Sequence, residues 1–527
     1  MISESAPGPR TPCPAPFNMA AHVLTHADHL ADKTAMEVLG RAAHRISYGA
    51  LKSAVLGVAT GLTRAGLAPG DRILLRLGNT EDFPIAYLGT IAAGMVPVPS
   101  STQLTLTELA HATALIAPAA ILHAPGVTCP DAICPILSLD DLRAMYALPP
   151  AAWHMGDPDR PGYIVFTSGT SGTARAVVHA HRAIWARRMM HDGWEGLTQS
   201  DRLLHAGAFN WTYTLGAGLM DPWSVGATAL IPAEGTPIEA LPDLLNTHNA
   251  TIFAAAPGVY RRMLKSSTPL NLPTLRHGLS AGEKLSPDLR AAFLSATGRS
   301  IHEAFGMSEI STFLSGSPSH PSHATTLGRA QPGRHIAILP ANDGPDATVP
   351  VPLNTAGVIA VRRDDPGLML GYLNAEAATQ ARCRGDWFLT GDLGTMAADG
   401  QITYLGRDDD MMNAGGYRVS PVEVESTLSA LPGLTSVACA TVEVRPGVQV
   451  IAAFYTGPAA LDDTSLRAFA AKHLAHYKTP RIYVHLDQLP TGGNGKVLRK
   501  ALAPLYTPAP EGDARPHSPG QITADPA

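Results

Sequence analysis

Apolar residues recur at helical spacing from Leu51 to Ala65, stop at Pro69-Gly70-Asp71, and give way to a short apolar run, Arg72 to Leu77. The spacing predicts a helix, a turn and a strand. A second helix is predicted over Phe83 to Gly94 and a strand over Met95 to Val98. The same rhythm continues to about residue 360, which implies an α/β architecture of layers built on largely buried sheets. No internal repeat interrupts it. After Gly406 the pattern changes to a charged turn, Arg407-Asp408-Asp409-Asp410, and then to a smaller α+β pattern ending near Leu502. The expected organisation is a large N-terminal domain of layered α/β subdomains over 1–408 and a small α+β domain over 409–504. Residues 505–527 are expected to form a disordered tail, rich in Pro, Gly and Asp without apolar periodicity.

Composition sharpens this picture. A chain of 527 residues exceeds the roughly 250–300 at which a single core stops growing, so at least two domains are required. With 45% hydrophobic and 16% charged residues, the chain has the make-up of a well-buried enzyme rather than a disordered protein. A net charge of −5 carries no electrostatic footprint for nucleic acid. No stretch approaches the roughly 20 apolar residues of a membrane span, and Met1 to Pro16 lacks the apolar core of a secretory signal. Cys13, Cys129, Cys134, Cys383 and Cys439 are odd in number and scattered, so they are read as free thiols in a cytoplasmic protein, with no stable membrane anchor.

Candidate chemistry begins at Tyr163-Ile164-Val165-Phe166, a buried-strand run, followed at once by Thr167-Ser168-Gly169-Thr170-Ser171-Gly172-Thr173-Ala174-Arg175. Hydroxyl side chains alternate with glycines, so the backbone can approach an anion and present N–H and O–H donors together, while Arg175 adds positive charge. By composition alone this is a Ser/Gly surface loop. Its glycine spacing is not that of the G-x-x-x-x-G-K-[ST] nucleotide loop. The run resembles the phosphate loop of the adenylate-forming superfamily, which includes acyl-CoA synthetases, nonribosomal-peptide adenylation domains and firefly-type luciferases. The common form there is Y-T-S-G-T-T-G-x-P-K-G. Here Ala174, Arg175 and Ala176 replace Pro, Lys and Gly, and arginine keeps the charge without the point geometry of an ammonium.

Further segments follow in the order of that superfamily. Ser280-Ala281-Gly282-Glu283-Lys284 resembles the strand end that meets adenine, so Gly282 and Glu283 are assigned to the nucleotide. Glu303-Ala304-Phe305-Gly306-Met307-Ser308-Glu309 resembles the aromatic-G-x-T-E segment. The resemblance implies that Ala304, Phe305 and Gly306 line the nucleotide, that Ser308 meets the α-phosphate, and that Glu309, with Thr170, holds magnesium. One carboxylate suffices for a cation bridged to substrate phosphates. Alone, Glu309 reads as a solvated acid at a helix start. Leu389-Thr390-Gly391-Asp392-Leu393-Gly394 resembles the T-G-D-x-G strand turn whose Asp accepts the ribose hydroxyls. Gly406-Arg407-Asp408-Asp409-Asp410 is similar to the G-R-x-D-D hinge, which implies a ribose contact for Arg407 and the hinge role for Asp409. Gly415, Gly416, Tyr417 and Arg418 continue the pattern, with glycines that let a pantetheine arm pass and an arginine for a phosphate. Thr491-Gly492-Gly493-Asn494-Gly495-Lys496-Val497-Leu498-Arg499 resembles the P-x-T-x-x-G-K-[IV]-x-R loop and puts Lys496 in the place of the catalytic lysine.

The resemblance spans about residues 40 to 502 and is strongest to the medium-chain and aryl branch of the acyl-CoA synthetases. It implies that a small carboxylic acid, ATP and coenzyme A are the small-molecule partners, that Mg2+ is the cofactor, and that the small domain is mobile about Asp409. Attack of the carboxylate on the α-phosphate of ATP makes an acyl-AMP, and a thiol then displaces AMP. The first step gathers charge and calls for fixed cations and donors; the second requires Lys496 to withdraw, hence a rotating domain. Phe209, Asn210, Trp211 and Gly306 fall where the family binds the acid. Asn210 stands where amino-acid-activating relatives carry Asp, so an amino acid is disfavoured. Gly306 stands where acetate-specific relatives carry Trp, and is expected to leave room for a medium-chain or aromatic tail. For these aromatics the alternative is plain core packing. Three other outcomes stay open: loading of a carrier protein in trans, luciferase-like oxidation, and a catalytically impaired nucleotide-binding homologue. The sequence leaves a homo-oligomer open as well.

Overall fold

A computed structural model of the chain describes residues 1–506 except 6–7, 9, 41–43, 132–133, 168–174, 266–269, 343, 345–346, 408–409, 415–416, 446–447, 475 and 493–496. At 413–414, 417–418, 445, 448 and 477 the description covers the backbone only. The expected disordered tail lies outside the described residues from 507 onward. The chain divides into two compact units, Met1–Tyr404 and Leu405–Ala527.

In the first unit the predicted helix, strand, helix and strand appear as Tyr48–Arg64, Arg72–Arg76, Asp82–Ala92 and Val96–Pro99. The first of these helices starts at Ser47, whose side chain accepts the Ala50 N–H and so satisfies one of the unpaired donors of the first turn. Arg72–Arg76 and Val96–Pro99 join Ala120–His123 and Ile136–Ser138 in a parallel four-stranded sheet. Ile73, Leu74 and Leu75 are all fully buried, as strands covered on both faces must be.

A larger sheet positions the site. Among the described residues it runs Arg329–Ala330, Ser311–Ser315, Ile301–Met307, His277–Ala281, Ile252–Ala255, Arg202–His205, Thr228–Pro232, Thr34–Leu39 and His44–Ser47. The six strands from Ile301–Met307 to Thr34–Leu39 are parallel. Two buried tryptophans tie the covering layer to this sheet by their indole N–H groups, Trp194 to the His302 carbonyl (2.9 Å) and Trp223 to the Ala35 carbonyl (2.8 Å). An antiparallel set, Pro161–Thr167, Arg175–Ala180 and Gly371–Tyr372, lies in the same unit.

The second unit is α+β. Strands Ser436–Arg445, Val448–Thr456 and Ile482–His485 form its sheet, helices Pro421–Leu428 and Asp463–His473 accompany it, and Met412–Ala414 pairs with Tyr417–Val419. Ser420 and Asp462 cap the two helices. Val424, Leu428, Cys439, Ile451 and Ala470 share one core. Among the described residues, no helix of the chain is long and apolar enough to cross a membrane.

Candidate functional site

In open parallel sheets, ligands bind beyond the carboxyl ends of the strands, and three of the singled-out segments, at 209–211, 280–284 and 303–309, sit there. His277–Ala281 pairs in parallel with Ile301–Met307, with Ala281 opposite Ala304. The segments at 280–284 and 303–309 are therefore neighbours. The loop with Phe209, Asn210 and Trp211 leaves the end of the strand Arg202–His205. Gly282 has φ of +95°, and a Cβ there would stand 2.6 Å from the Trp211 ring. Only glycine fits both the backbone and the indole, so Trp211 and Gly282 are brought together. Behind them, buried Glu303 accepts the Leu285 N–H (2.9 Å) and an Arg290 N–H (3.2 Å), with Lys284 Nζ 3.8 Å away. Glu303 thus braces the loop that carries Glu283.

The acid-pocket aromatics divide. Phe209 is buried against Phe83, with ring centroids 5.4 Å apart, and its N–H donates to Asn79 Oδ1 (3.0 Å). It packs as core. Tyr213 is also core, its hydroxyl donating to the Leu279 carbonyl (3.0 Å). Asn210 and Trp211 are half-exposed. Gly306 corrects an expectation: its missing side chain does not leave a cavity. A Cβ on it would lie 2.2 Å from the Ser311 carbonyl oxygen and 2.5 Å from Thr312 Cα. The register shift between Phe305 and Gly306 presses the antiparallel strand Ser311–Ser315 against that position. The glycine is needed for strand packing and says nothing against acetate.

Ser308 and Glu309 lie in the tight turn between Ile301–Met307 and Ser311–Ser315, not at a helix start. Glu309 is buried, and its Oε1 accepts a hydrogen bond from the Tyr372 hydroxyl (2.6 Å). The Arg175 guanidinium lies over the Tyr372 ring, 5.0 Å from its centroid. Burial, and then the Glu309 carboxylate, push the Tyr372 phenol up to about 12, so it stays a donor at neutral pH. The Ser308 carbonyl accepts the His179 Nε2–H (2.7 Å), and His179 stacks on Tyr163 (4.7 Å). Burial pushes His179 down to about 4, which keeps the ring neutral. Past the turn, Ser311 has a left-handed φ of 67°, a conformation that costs a non-glycine residue energy. Its hydroxyl receives Arg187 Nη1 (2.5 Å), and Arg187 is itself paired with buried Asp221.

Asp392 lies within the ten-residue strand Trp387–Met396 rather than in a turn. It is buried, and Tyr404 Oη donates to its Oδ1 (3.3 Å). The Tyr404 ring meets Phe305 with centroids 5.5 Å apart, which links the ribose candidate to the Ala304–Gly306 segment. Thr167 and Arg175 face each other in register at the ends of paired strands. Arg407 closes the strand Ile402–Arg407. Ser168, Gly169, Thr170, Ser171, Gly172, Asp409, Gly415, Gly416 and Lys496 lie outside the described residues, as do the side chains of Tyr417 and Arg418. Tyr372, Tyr404, His179 and Arg187 are site residues that the sequence reading missed. Only the fold brings Tyr372 and His179 to the turn at 308–309, Arg187 to Ser311 just past it, and Tyr404 to Asp392 and Phe305.

Two family models match the chain: the AMP-binding enzyme over 23–373 and the AMP-binding enzyme C-terminal domain over 423–496. The chain is 27% identical to the 3-hydroxybenzoate–CoA ligase of Aromatoleum sp. (strain CIB), covering 91% of this chain and 94% of that one. It is 29% identical to the mitochondrial acyl-coenzyme A synthetase ACSM5 of Mus musculus, over 83% and 80% of the two chains. A benzoate CoA ligase from Burkholderia xenovorans LB400 superposes with a TM-score of 0.82 at 28% identity, over 92% of this chain and all (100%) of that one.

Proposed function

We propose that this chain, which belongs to the AMP-binding enzyme family, joins a carboxylic acid to coenzyme A at the expense of ATP. The carboxylate oxygen attacks the α-phosphorus of ATP, the bond to pyrophosphate breaks, and acyl-AMP forms. The sulfur of coenzyme A then attacks the acyl carbon, its proton is lost to solvent, and AMP leaves. The observation that carries this reading is the joint placement of Glu309, Tyr372 and Arg175 within the family's match, in the same unit as the paired Trp211 and Gly282.

In this reading the residues take separate tasks. Arg175 and the hydroxyls from Thr167 to Ser171 receive the phosphates, Ser308 meets the α-phosphate, and Asp392 and Arg407 hold the ribose. Gly282, Glu283 and Ala304 to Gly306 border the base. Lys496 stabilises the charge of the first step, and residues 409–504 turn about Asp409 to bring Gly415 to Arg418 to the thiol step. Magnesium fits the donor set. Among the described residues no group of three or more His, Cys, Asp or Glu gathers, whereas a cation bridged to phosphates needs one or two carboxylates. Glu309, with Thr170, would hold it, and its positive charge would draw electron density from the phosphates. The acid is aromatic or medium-chain. Asn210 gives an α-ammonium no counter-charge, Trp211 offers a flat half-exposed wall, and the relatives named above include ligases of benzoate and hydroxybenzoate.

The test is pyrophosphate exchange over benzoate, 3-hydroxybenzoate, hexanoate and acetate, followed by thioester formation with free coenzyme A. An aromatic acid or hexanoate should exceed acetate by at least about tenfold. No exchange with any acid would overturn the reading. Exchange without a coenzyme A thioester would move the acceptor to a carrier protein.

A further inference from the structure

We propose that Tyr372 is the positioning residue of this site: its hydroxyl aims the Glu309 carboxylate and its ring seats Arg175, so one side chain aligns the acid and the phosphate-facing cation together. The proposal rests on the ligase reading above.

Tyr372 is itself held firmly. It lies in the two-residue strand Gly371–Tyr372, antiparallel to Arg175–Ala180, with Tyr372 opposite Val177. On either side, the Leu370 N–H donates to the Val178 carbonyl and the Leu373 N–H to the Ala176 carbonyl, both at 2.8 Å. Its own N–H donates to Thr379 Oγ1 (2.9 Å). The segment therefore runs along the very strand that begins at Arg175.

From this anchored backbone the same segment grips Glu309 twice. The Met369 N–H donates to the Glu309 carbonyl (2.8 Å), and the Tyr372 hydroxyl donates to Oε1 (2.6 Å). A glutamate has three rotatable bonds, and a two-point hold removes most of that freedom before any ligand arrives. The choice of donor matters as much as the hold. A phenol is neutral, so it orients the carboxylate without cancelling its charge, and Oε2 receives no hydrogen bond from any described residue. A lysine or arginine in this place would fix the acid and neutralise it at once. The Arg175 guanidinium lies over the face of the same ring, 5.0 Å from its centroid, and makes no ion pair with Glu309.

Two variants of the full chain separate this role from packing. Tyr372→Phe removes the hydroxyl and keeps the ring; Tyr372→Leu removes both. The probe is the non-hydrolysable analogue adenosine 5′-(α,β-methylene)triphosphate, titrated calorimetrically with and without Mg2+. In Tyr372→Phe the gain in affinity on adding Mg2+ should shrink by about tenfold, the range of one hydrogen bond to a charged acceptor. Metal-free binding should stay as in wild type. The concentration of Mg2+ needed for half-maximal pyrophosphate exchange should rise, and thioester formation from supplied acyl-AMP should be spared. Tyr372→Leu should in addition weaken metal-free binding, because Arg175 loses its seat. A Tyr372→Phe chain that binds the Mg2+ complex like wild type overturns the proposal. So does an equal loss with and without Mg2+, which would mark a packing role, and so does a wild type whose binding ignores Mg2+. Failure of the ligase reading is separate: wild type would then form no acyl-AMP from any acid, whatever the calorimetry shows.

Discussion

Two glutamates, one in each unit, have opposite surroundings: Glu309 is buried and Glu425 half-buried. Glu309 in the large unit is held by a neutral phenol, and no lysine or arginine among the described residues is within ion-pairing distance of it. Glu425 in the small unit is gripped by Arg499 through both oxygens, with Nη2 to Oε2 at 2.7 Å, and its Oε1 also accepts the Cys439 N–H (2.6 Å). Burial raises the Glu425 carboxyl above its usual range, while Arg499 pulls it down. The charge of Glu425 is spent inside the protein, on tying the helix Pro421–Leu428 to the strand Ser436–Arg445 and to the segment just past Lys496. The charge of Glu309 is kept for something else. Each acid is thus read by the charge of its partner rather than by its burial.

The largest effect should come from breaking the spent pair. Arg499→Met leaves the half-buried Glu425 without its counter-charge, and roughly 3–5 kcal/mol, the cost of breaking a fully buried pair, is the upper bound. All six tryptophans lie before Tyr404, so tryptophan fluorescence reports only the large unit. Its urea midpoint should not move, while amide exchange in 405–506 should accelerate strongly. An unchanged exchange pattern would mean that the pair carries no stability.

Glu309→Gln should do the reverse. The amide oxygen still accepts the Tyr372 hydroxyl, so the fluorescence midpoint should hold or rise. Acyl-AMP formation should fall by about a hundred- to a thousandfold, the scale for losing one aligned electrostatic group. If Glu309→Gln instead destabilises the large unit as Arg499→Met does the small one, the two acids are alike and the comparison fails.

Much of this was legible along the chain. The helices near 51–65 and 83–94 and the strands between them follow from periodicity, and the ordered motifs led to the family that both models match. The misreadings share one cause. Gly391, Asp392 and Gly394 are turn formers locally, and the strand that pairs with Gly357–Arg362 accommodates Gly391, at φ of 77°, and Asp392 as a bulge between the pairs Leu389–Ala360 and Leu393–Val358. Gly306 was placed in the right segment, but where its absent side chain would point depends on a strand that folds back against it. Tyr372 is 63 residues from Glu309, in a two-residue strand with no pattern of its own. Long-range pairing decided each case, and no local window contains it.

The smallest expected effect is a divergence of the two units with pH. In the large unit, burial pushes His22 and His179 down to about 4 and His181, His205 and His302 down to about 3. His191 and His277 are lowered in the same way. These rings stay neutral in the fold while the unfolded chain takes up protons below its ordinary value of about 6.5. Wherever the unfolded state binds more protons, stability rises with pH, so it is lost as pH falls from 6.5 toward 4. Buried Glu195 and Glu303, raised by desolvation, bind protons in the fold and oppose this, but they are two groups against seven. In the small unit Glu425 is raised, which adds stability as pH falls toward the unfolded carboxyl value. The fluorescence midpoint in urea should therefore drop between pH 7 and pH 5, while amide exchange in 405–506, corrected for its intrinsic pH dependence, should hold or slow. His205→Gln should flatten the fluorescence trend by removing one of the seven groups. A midpoint that rises on acidification would show that the carboxyls, not the histidines, govern the large unit.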